Sequence, residues 1–237
     1  MKTVIRNGLI ATALALAIMA GVMIWAYQTL PDGQIPLHWN AAGEVDRWGS
    51  RTEALWALAI LPIVTLFTGA LLAVVPALDP RKINLEKSAK VYAVVWISTM
   101  ALMTALHVGI AQMSISGANG GEANAIEFVR FVIAGTGILF VLLGNYLPKT
   151  RPNWFLGIRT PWTLSSDDTW EKTHRVGGRL FMVVGFLSII AAFVFNGLTL
   201  ALIMPAMTIS VALFCVIYSY FVWRGATDKH LGTEQIV

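Results

Sequence analysis

Residues 54–78 read ALWALAILPIVTLFTGALLAVVPAL, 25 positions without one charged side chain. A helix that crosses a bilayer needs ~20 mostly apolar residues, so this run is long enough to span. Five further runs are likewise mostly apolar, over residues 8–28, 90–114, 125–147, 179–197 and 200–223. In lipid, backbone N–H and C=O groups must find partners within the protein, which makes each run a helix. None alternates with the period of two that a barrel strand requires. Composition agrees. The 237 residues are 57% hydrophobic and 13% charged, with mean hydropathy +0.68, where soluble domains carry roughly 25% charged residues. The expected fold is an all-α membrane protein, a six-transmembrane-helix bundle with a long structured cytoplasmic connection between the fourth and fifth helices.

Charge sets the expected orientation. Lys2 and Arg6, then Arg81, Lys82, Lys87 and Lys90, then Lys149, Arg151, Arg159, Lys172, Arg175 and Arg179, and last Arg224 and Lys229 fall on alternate connections. The other connections hold only Arg47 and Arg51. The positive-inside rule then places both termini of the multi-pass chain in the cytoplasm. The net charge of +4 is accounted for by topology and anionic headgroups. No helix-turn-helix or RNA-binding signature appears, so direct nucleic-acid binding is not expected. Lys2, Arg6 and Ala15-Leu16-Ala17 imitate a signal peptide, but the apolar run continues to Tyr27 and reads as a retained helix. A single cysteine, Cys215, allows no intrachain disulfide and says nothing of redox compartment. No cofactor is expected.

The first external connection, LPDGQIPLHWNAAGEVDRWGSRTE (residues 30–53), is rich in Pro and Gly and reads as ordered. Asp32, His38, Trp39, Asn40 and Asp46 are its candidate ligand- or partner-binding residues. The carboxylates, with Glu44, either cap turns or contribute to an ion or recognition site. Their spacing matches no zinc or calcium pattern, which leaves metal binding open. Residues 116–124 are expected to form a short external turn, and Asn196-Gly197 to turn the chain between the last two helices.

His107, Glu127 and Arg130 are ionisable and stand inside apolar runs. Glu127 and Arg130, three apart, share a helix face and read either as a shallow ion pair or as the lining of a polar cavity open to the outside. His107 reads as a helix-to-helix hydrogen bonder or a proton relay. Gly135, Gly137 and Gly144 are expected to let helices approach closely.

Residues 144–178, GNYLPKTRPNWFLGIRTPWTLSSDDTWEKTHRVGG, are too long and too aromatic for a plain connector. Ser165 or Ser166 can cap a helix whose first turn holds Asp167 and Asp168. Residues 169–175 are expected to form a short surface helix, with a bend at Gly177-Gly178. Trp154, Trp162 and Trp170 are expected at headgroup level. The cations offer donors to phosphate or carboxylate groups.

This segment resembles the signature of the bacterial SdpI/YfhL family, and LPDGQIPLHWNAAGEVDRWGS resembles a membrane domain of unknown function found at the start of longer members. Positions that match the signature include Asn145, Lys149, Arg151, Asn153, Arg159, Thr160, Trp162, Trp170, Lys172, His174 and Arg175, with Pro148, Gly157, Pro161, Thr163, Thr173 and Gly178 beside them. The resemblance implies an N-terminal membrane region over 1–124 and an SdpI-like region over 125–237. It further implies a non-enzymatic immunity or sensor protein. Such a protein would meet a secreted membrane-active peptide toxin outside, and would relay a signal to a cytoplasmic regulator inside. The competing reading is a membrane-embedded enzyme or transporter acting on a lipid-like or peptide substrate, resting on His107, Glu127, His174 and the arginines. Against it, the sequence holds no H-E-x-x-H, G-x-S-x-G or P-loop pattern.

Overall fold

The computed structural model describes residues 1–40, 42–121 and 125–229. Its elements run α1 (Lys2–Thr29), β1 (Ile35–Trp39), β2 (Val45–Gly49), α2 (Arg51–Leu78), α3 (Lys82–Lys87), α4 (Ala89–Ala118), α5 (Ala125–Tyr146), a 3-10 turn (Leu147–Lys149), α6 (Pro161–Leu164), α7 (Asp167–Val194) and α8 (Gly197–Gly225). Six of the helices, α1, α2, α4, α5, α7 and α8, are long and apolar enough to cross a membrane. The chain is an all-α, multi-pass membrane protein. Pro62 and Pro205 sit inside α2 and α8 without ending them.

Helices α1, α2 and α4 pack on one another, as do α5, α7 and α8, and α4 touches α5. Connections that alternate along the chain meet at the same end. At one end the hairpin β1–β2 rests on α4, where Ser114 Oγ donates to the Pro36 carbonyl at 3.3 Å. Ile35 is buried there among Ala26, Leu30, Leu58 and Ala111. At the other end, residues 79–88, 147–166 and 226–229 are hydrogen-bonded together. An even number of crossings between these groups requires that arrangement.

The hairpin is an addition to the expected all-helical fold. Its antiparallel register, Ile35 to Gly49 and Trp39 to Val45, is interrupted by irregularities on both sides of His38. Those irregularities erase the alternation that marks a strand in sequence. Asn40 Oδ1 accepts from the N–H groups of Ala42 and Glu44 and closes the turn. The next element is fixed by a capping box, Ser50 with Glu53 at the start of α2.

A second difference lies at α7. The expected surface helix and bend at Gly177-Gly178 are instead one continuous helix from Asp167. At 1.5 Å per residue its 28 residues reach about 42 Å, some 12 Å more than the ~30 Å hydrocarbon core. The polar first turns therefore stand clear of lipid while the backbone hydrogen bonding continues unbroken. Ser166, not Ser165, caps the helix, its side chain accepting from Thr169 N–H at 3.0 Å. Ser165 donates to the Trp162 carbonyl and closes α6.

Candidate functional site

The connection between α5 and α7, residues 147–166, forms a strap. It crosses the end of the bundle and is held there by buried polar groups on both sides. Asn153 organises its first half. The side chain is fully buried, donates to the Arg151 and Leu156 carbonyls at 2.7 and 3.0 Å, and accepts from Phe155 and Leu156 N–H at 2.9 and 2.6 Å. All of its near bonds are local, the arrangement short amide side chains favour in tight loops. Thr160 and Thr163 form a second knot. They cap α6 reciprocally, and Thr160 Oγ meets Ser219 Oγ of α8 at 3.0 Å.

His174 of α7 anchors the middle of the strap. Its Nε2 accepts from Ile158 N–H at 2.8 Å, and its Nδ1 faces the Trp170 carbonyl at 2.8 Å. Nε2 must therefore be unprotonated and Nδ1 must carry the hydrogen, which makes the ring neutral. Trp170 stacks on that ring, 4.0 Å between centroids, and donates from Nε1 to the Thr150 carbonyl at 3.2 Å. Trp170 is buried, so its expected place at headgroup level is corrected. The strap folds over it because both its indole N–H and its π-face find partners there. Trp154 remains exposed, and Trp162 packs against Tyr220 at 5.2 Å.

The strap's other side is bound to the segment between α2 and α4. Asp79, fully buried, accepts from Arg81 N–H at 2.8 Å and from Trp154 N–H at 3.2 Å. Asn84 donates to the Pro152 carbonyl, Arg81 to the Leu164 carbonyl, and Ser88 Oγ accepts from Arg151 N–H. Asp79, Arg81, Asn84 and Ser88 were not among the expected site residues. The sequence signal was slight: an acid, Asp79, set at the end of a span beside the basic Arg81 and Lys82. Asp79→Ala is expected to leave the Trp154 amide without its acceptor, a cost of ~1–3 kcal/mol. Faster amide exchange at Trp154 in the detergent-solubilised protein would register it; unchanged exchange would refute the role given to Asp79.

Asp228 closes the assembly from the C-terminal side. It accepts from Ser166 Oγ at 2.6 Å and from Asp168 N–H at 2.9 Å. Burial pushes its carboxyl up. Hydrogen bonds from the Ser166 side chain and from the backbone of Asp168, Asp228 and Asp167 outweigh that and hold it below the usual carboxylate range. A depressed acid adds stability that is present above its ordinary pKa and is lost as pH falls through the folded value. Acidification through that depressed value, below the ordinary carboxylate range, is therefore expected to free this contact. Exchange at the Asp168 amide should accelerate there, and Asp228→Asn should abolish the pH dependence.

The remaining expected residues have separate surroundings. Asn145 is exposed at the end of α5. Lys149 lies 4.4 Å over the Tyr146 ring. Arg159 donates to the Trp154 carbonyl at 2.6 Å, Lys172 pairs with Asp168 at 2.8 Å, and Arg175 pairs with Glu171. A cleft of about 840 Å³ opens between the strap and the start of α7. Lys87, Lys149 and Arg151 line it, with Asp167, Asp168 and Glu171 from α7.

At the hairpin end, His38 Nδ1 lies 2.6 Å from Asp46 Oδ1. Asp32 pairs with Arg51 at 3.2 Å, and Arg51 also donates to the Tyr27 carbonyl. Asn40 donates to Glu44, and Trp39 Nε1 is shielded without a partner among the described residues. His38 and Asp46 meet, but no group of three His, Cys, Asp or Glu side chains able to hold a metal forms among the described residues. Arg130 pairs with Glu127 at 2.6 Å and bonds Asn196 at 2.6 Å, the shallow ion pair of the two readings. His107 is fully buried in α4, where the Leu58 carbonyl of α2 approaches it without completing a hydrogen bond. His107, Glu127 and His174 thus have separate neighbours and share no site.

Residues 149–219 match the SdpI/YfhL protein family, and residues 14–65 match a domain of unknown function, DUF1648. The first match takes in the strap, α6, α7 and most of α8; the second takes in most of α1, the hairpin and the first half of α2. The chain is 23% identical over 198 residues to the Immunity protein SdpI of Bacillus subtilis (strain 168), covering 84% of this chain and 87% of that protein. No solved structure matches. Six spans make this a membrane protein, and its buried polar strap falls almost wholly within the stretch that matches the SdpI/YfhL family, in a chain similar to an SdpI immunity protein along most of both lengths.

Proposed function

We propose that this protein protects a bacterial cytoplasmic membrane against a secreted membrane-active peptide. The hairpin is the external receptor, and the strap is the internal relay to a cytoplasmic regulator. The similarity to an immunity protein across 84% of the chain carries the reading. The distribution of Lys and Arg supports the orientation, with the hairpin outside and residues 2, 229 and the strap inside.

The receptor role has support in the hairpin's surface. Its second strand exposes Asp46, Arg47 and Trp48 together, and Trp48 is 50% exposed. The His38–Asp46 pair is also solvent-facing, with side chains 64% and 44% exposed. Such pairs add little to folding stability, so these groups are free to trade partners with a peptide. The relay role has support in connectivity. The hairpin is seated on α2 and α4, and the opposite ends of the same helices hold Asp79 and Ser88 against the strap. A peptide that prefers one packing of α2 on α4 shifts the strap only by its difference in affinity for the two packings.

Expression in a sensitive strain challenged with the killing peptide tests the whole reading. Survival is expected to rise with the wild-type chain and to fall with His38→Ala/Asp46→Ala at equal membrane abundance. Equal killing with and without the wild-type chain would sink the protective role. Labelling of a cysteine at position 48 only from inside the cell would sink the orientation.

A further inference from the structure

Two connected concavities lie at the strap end, away from the strap. One, of about 570 Å³, sits between the start of α1 and α3 and is lined by Lys2, Ile5, Pro76, Leu85, Lys82 and Glu86 among others. The second, about 500 Å³, continues from Lys2 and Ile5 along the outer face of α1 past Arg6, Leu9 and Ile10 to Ala13. Lys2, Arg6 and Lys82 are exposed and make no ion pair or hydrogen bond with the described residues. Lys2 and Lys82 against the one acid Glu86 leave the upper crevice with an excess of positive charge, and Arg6 adds a third cation at the head of the groove. Below it the groove is almost wholly apolar. From Lys2 to Ala13 the helix rises about 16 Å, close to half of the ~30 Å hydrocarbon core, which is the depth of one leaflet.

We propose that this crevice and groove form a binding site for one anionic phospholipid. Lys2, Arg6 and Lys82 hold the phosphate, and an acyl chain lies along Ile5, Leu9 and Ala13. Charge and shape argue for the lipid together. A soluble phosphate would use the cations and leave the groove empty; an uncharged lipid would use the groove and leave three cations unmatched. The site also ties α1 to α3, since Lys2 and Lys82 come from different elements and close on the same headgroup.

The test is native mass spectrometry of the full chain released from detergent, titrated with phosphatidylglycerol or phosphatidylcholine. Phosphatidylglycerol is expected to bind at least about tenfold more tightly, and Lys2→Gln/Lys82→Gln should remove about that factor. Lys172→Gln/Arg175→Gln loses the same charge at the same end of the molecule, from residues already paired, and should bind phosphatidylglycerol as the wild type does. Ala13→Trp keeps every cation but fills the groove, and should weaken phosphatidylglycerol as well. Glycerol phosphate at millimolar concentration should not displace the lipid. Equal affinity for the two lipids, equal losses in the two double variants, an unaffected Ala13→Trp, or displacement by glycerol phosphate would each overturn the site. Because the readout involves neither a toxin nor a sided membrane, its failure leaves the immunity reading untouched, and the reverse holds too.

Discussion

Gly144→Leu is expected to abolish recovery of monodisperse protein, and Gly144→Ala to lower its stability by ~1–3 kcal/mol. A Cβ on Gly144 would sit 2.5 Å from the Gly178 carbonyl oxygen and 2.7 Å from the Met182 nitrogen. Seven residues earlier on α5, a Cβ on Gly137 would sit 2.7 Å from the Gly185 carbonyl oxygen. The facing glycines are hit in return, Gly178 at 2.6 Å and Gly185 at 2.5 Å, each from a backbone oxygen of α5. The obstacles are backbone atoms of a long helix, which cannot rotate aside as a side chain does. Accommodating even one methyl means separating α5 from α7 over two turns. In lipid that contact is the main source of association, because apolar side chains gain nothing from leaving one hydrocarbon for another. Gly135→Ala supplies the contrast. Its Cβ would meet only Leu102 Cδ1, at an ordinary 3.5 Å. Thermal unfolding in detergent, followed by size-exclusion chromatography, should separate the two. If Gly144→Ala melts with Gly135→Ala and the wild type, α5 and α7 are not packed backbone to backbone.

That contrast marks how far the sequence could be read. Gly135, Gly137 and Gly144 look alike in an apolar run, and only the partner helix distinguishes them. The six spans were legible because hydropathy reports the solvent a segment faces, and lipid leaves no alternative to the helix. For the same reason hydropathy misplaced the start of α7. Residues 167–178 are polar because they project from the bilayer, and polarity there says nothing about whether the helix continues. Gly177-Gly178 looked like a break, yet these glycines are where Ile158, Pro148 and the Gly144 carbonyl crowd against the helix. The hairpin escaped notice because its register is irregular around His38 and its strands are five residues each.

The candidate site was legible in outline and hidden in its mechanism. Residues 144–178 stand out by composition, and most of the strap's knots, including Asn153, Thr160, Trp170 and His174, lie on matched positions. Their partners do not stand out. Asp79 meets Trp154, Asn84 meets Pro152 and Ser166 meets Asp228 across roughly sixty to seventy-five residues of sequence. No local pattern encodes such pairs. Trp170 shows the same limit from the other side. An amphipathic ring beside a membrane is at home at the interface, and only the strap's path reveals that its polar end is satisfied inside.

Gly157→Ala is expected to detach the strap while leaving the six spans folded. Gly157 has φ of +122°, a conformation that side-chain-bearing residues rarely adopt. A Cβ there would fall on His174 Nε2 and lie 3.0 Å from Trp170. The substitution thus imposes backbone strain of ~1–3 kcal/mol and blocks the ring nitrogen that accepts from Ile158 N–H. Neither neighbour can yield cheaply. His174 is fixed at both ring nitrogens, and Trp170 is held between that ring and the Thr150 carbonyl. The strain is relieved if residues 156–158 lift away, which exposes Trp170. Amide exchange at Ile158 should therefore rise sharply, and quenching of tryptophan fluorescence by a soluble quencher should increase. The circular dichroism of the helices should hold. His174→Phe separates the causes, since it keeps a ring against Trp170 but offers Ile158 no acceptor, a loss of ~1–3 kcal/mol. Exchange should rise at Ile158 in both variants, while Trp170 should become accessible to quencher only in Gly157→Ala. Were Ile158 as protected in Gly157→Ala as in the wild type, the neutral histidine would not be what holds the strap down. Were the strap freed without any change in survival against the peptide, its part as a relay in protection would fall while its architecture stood.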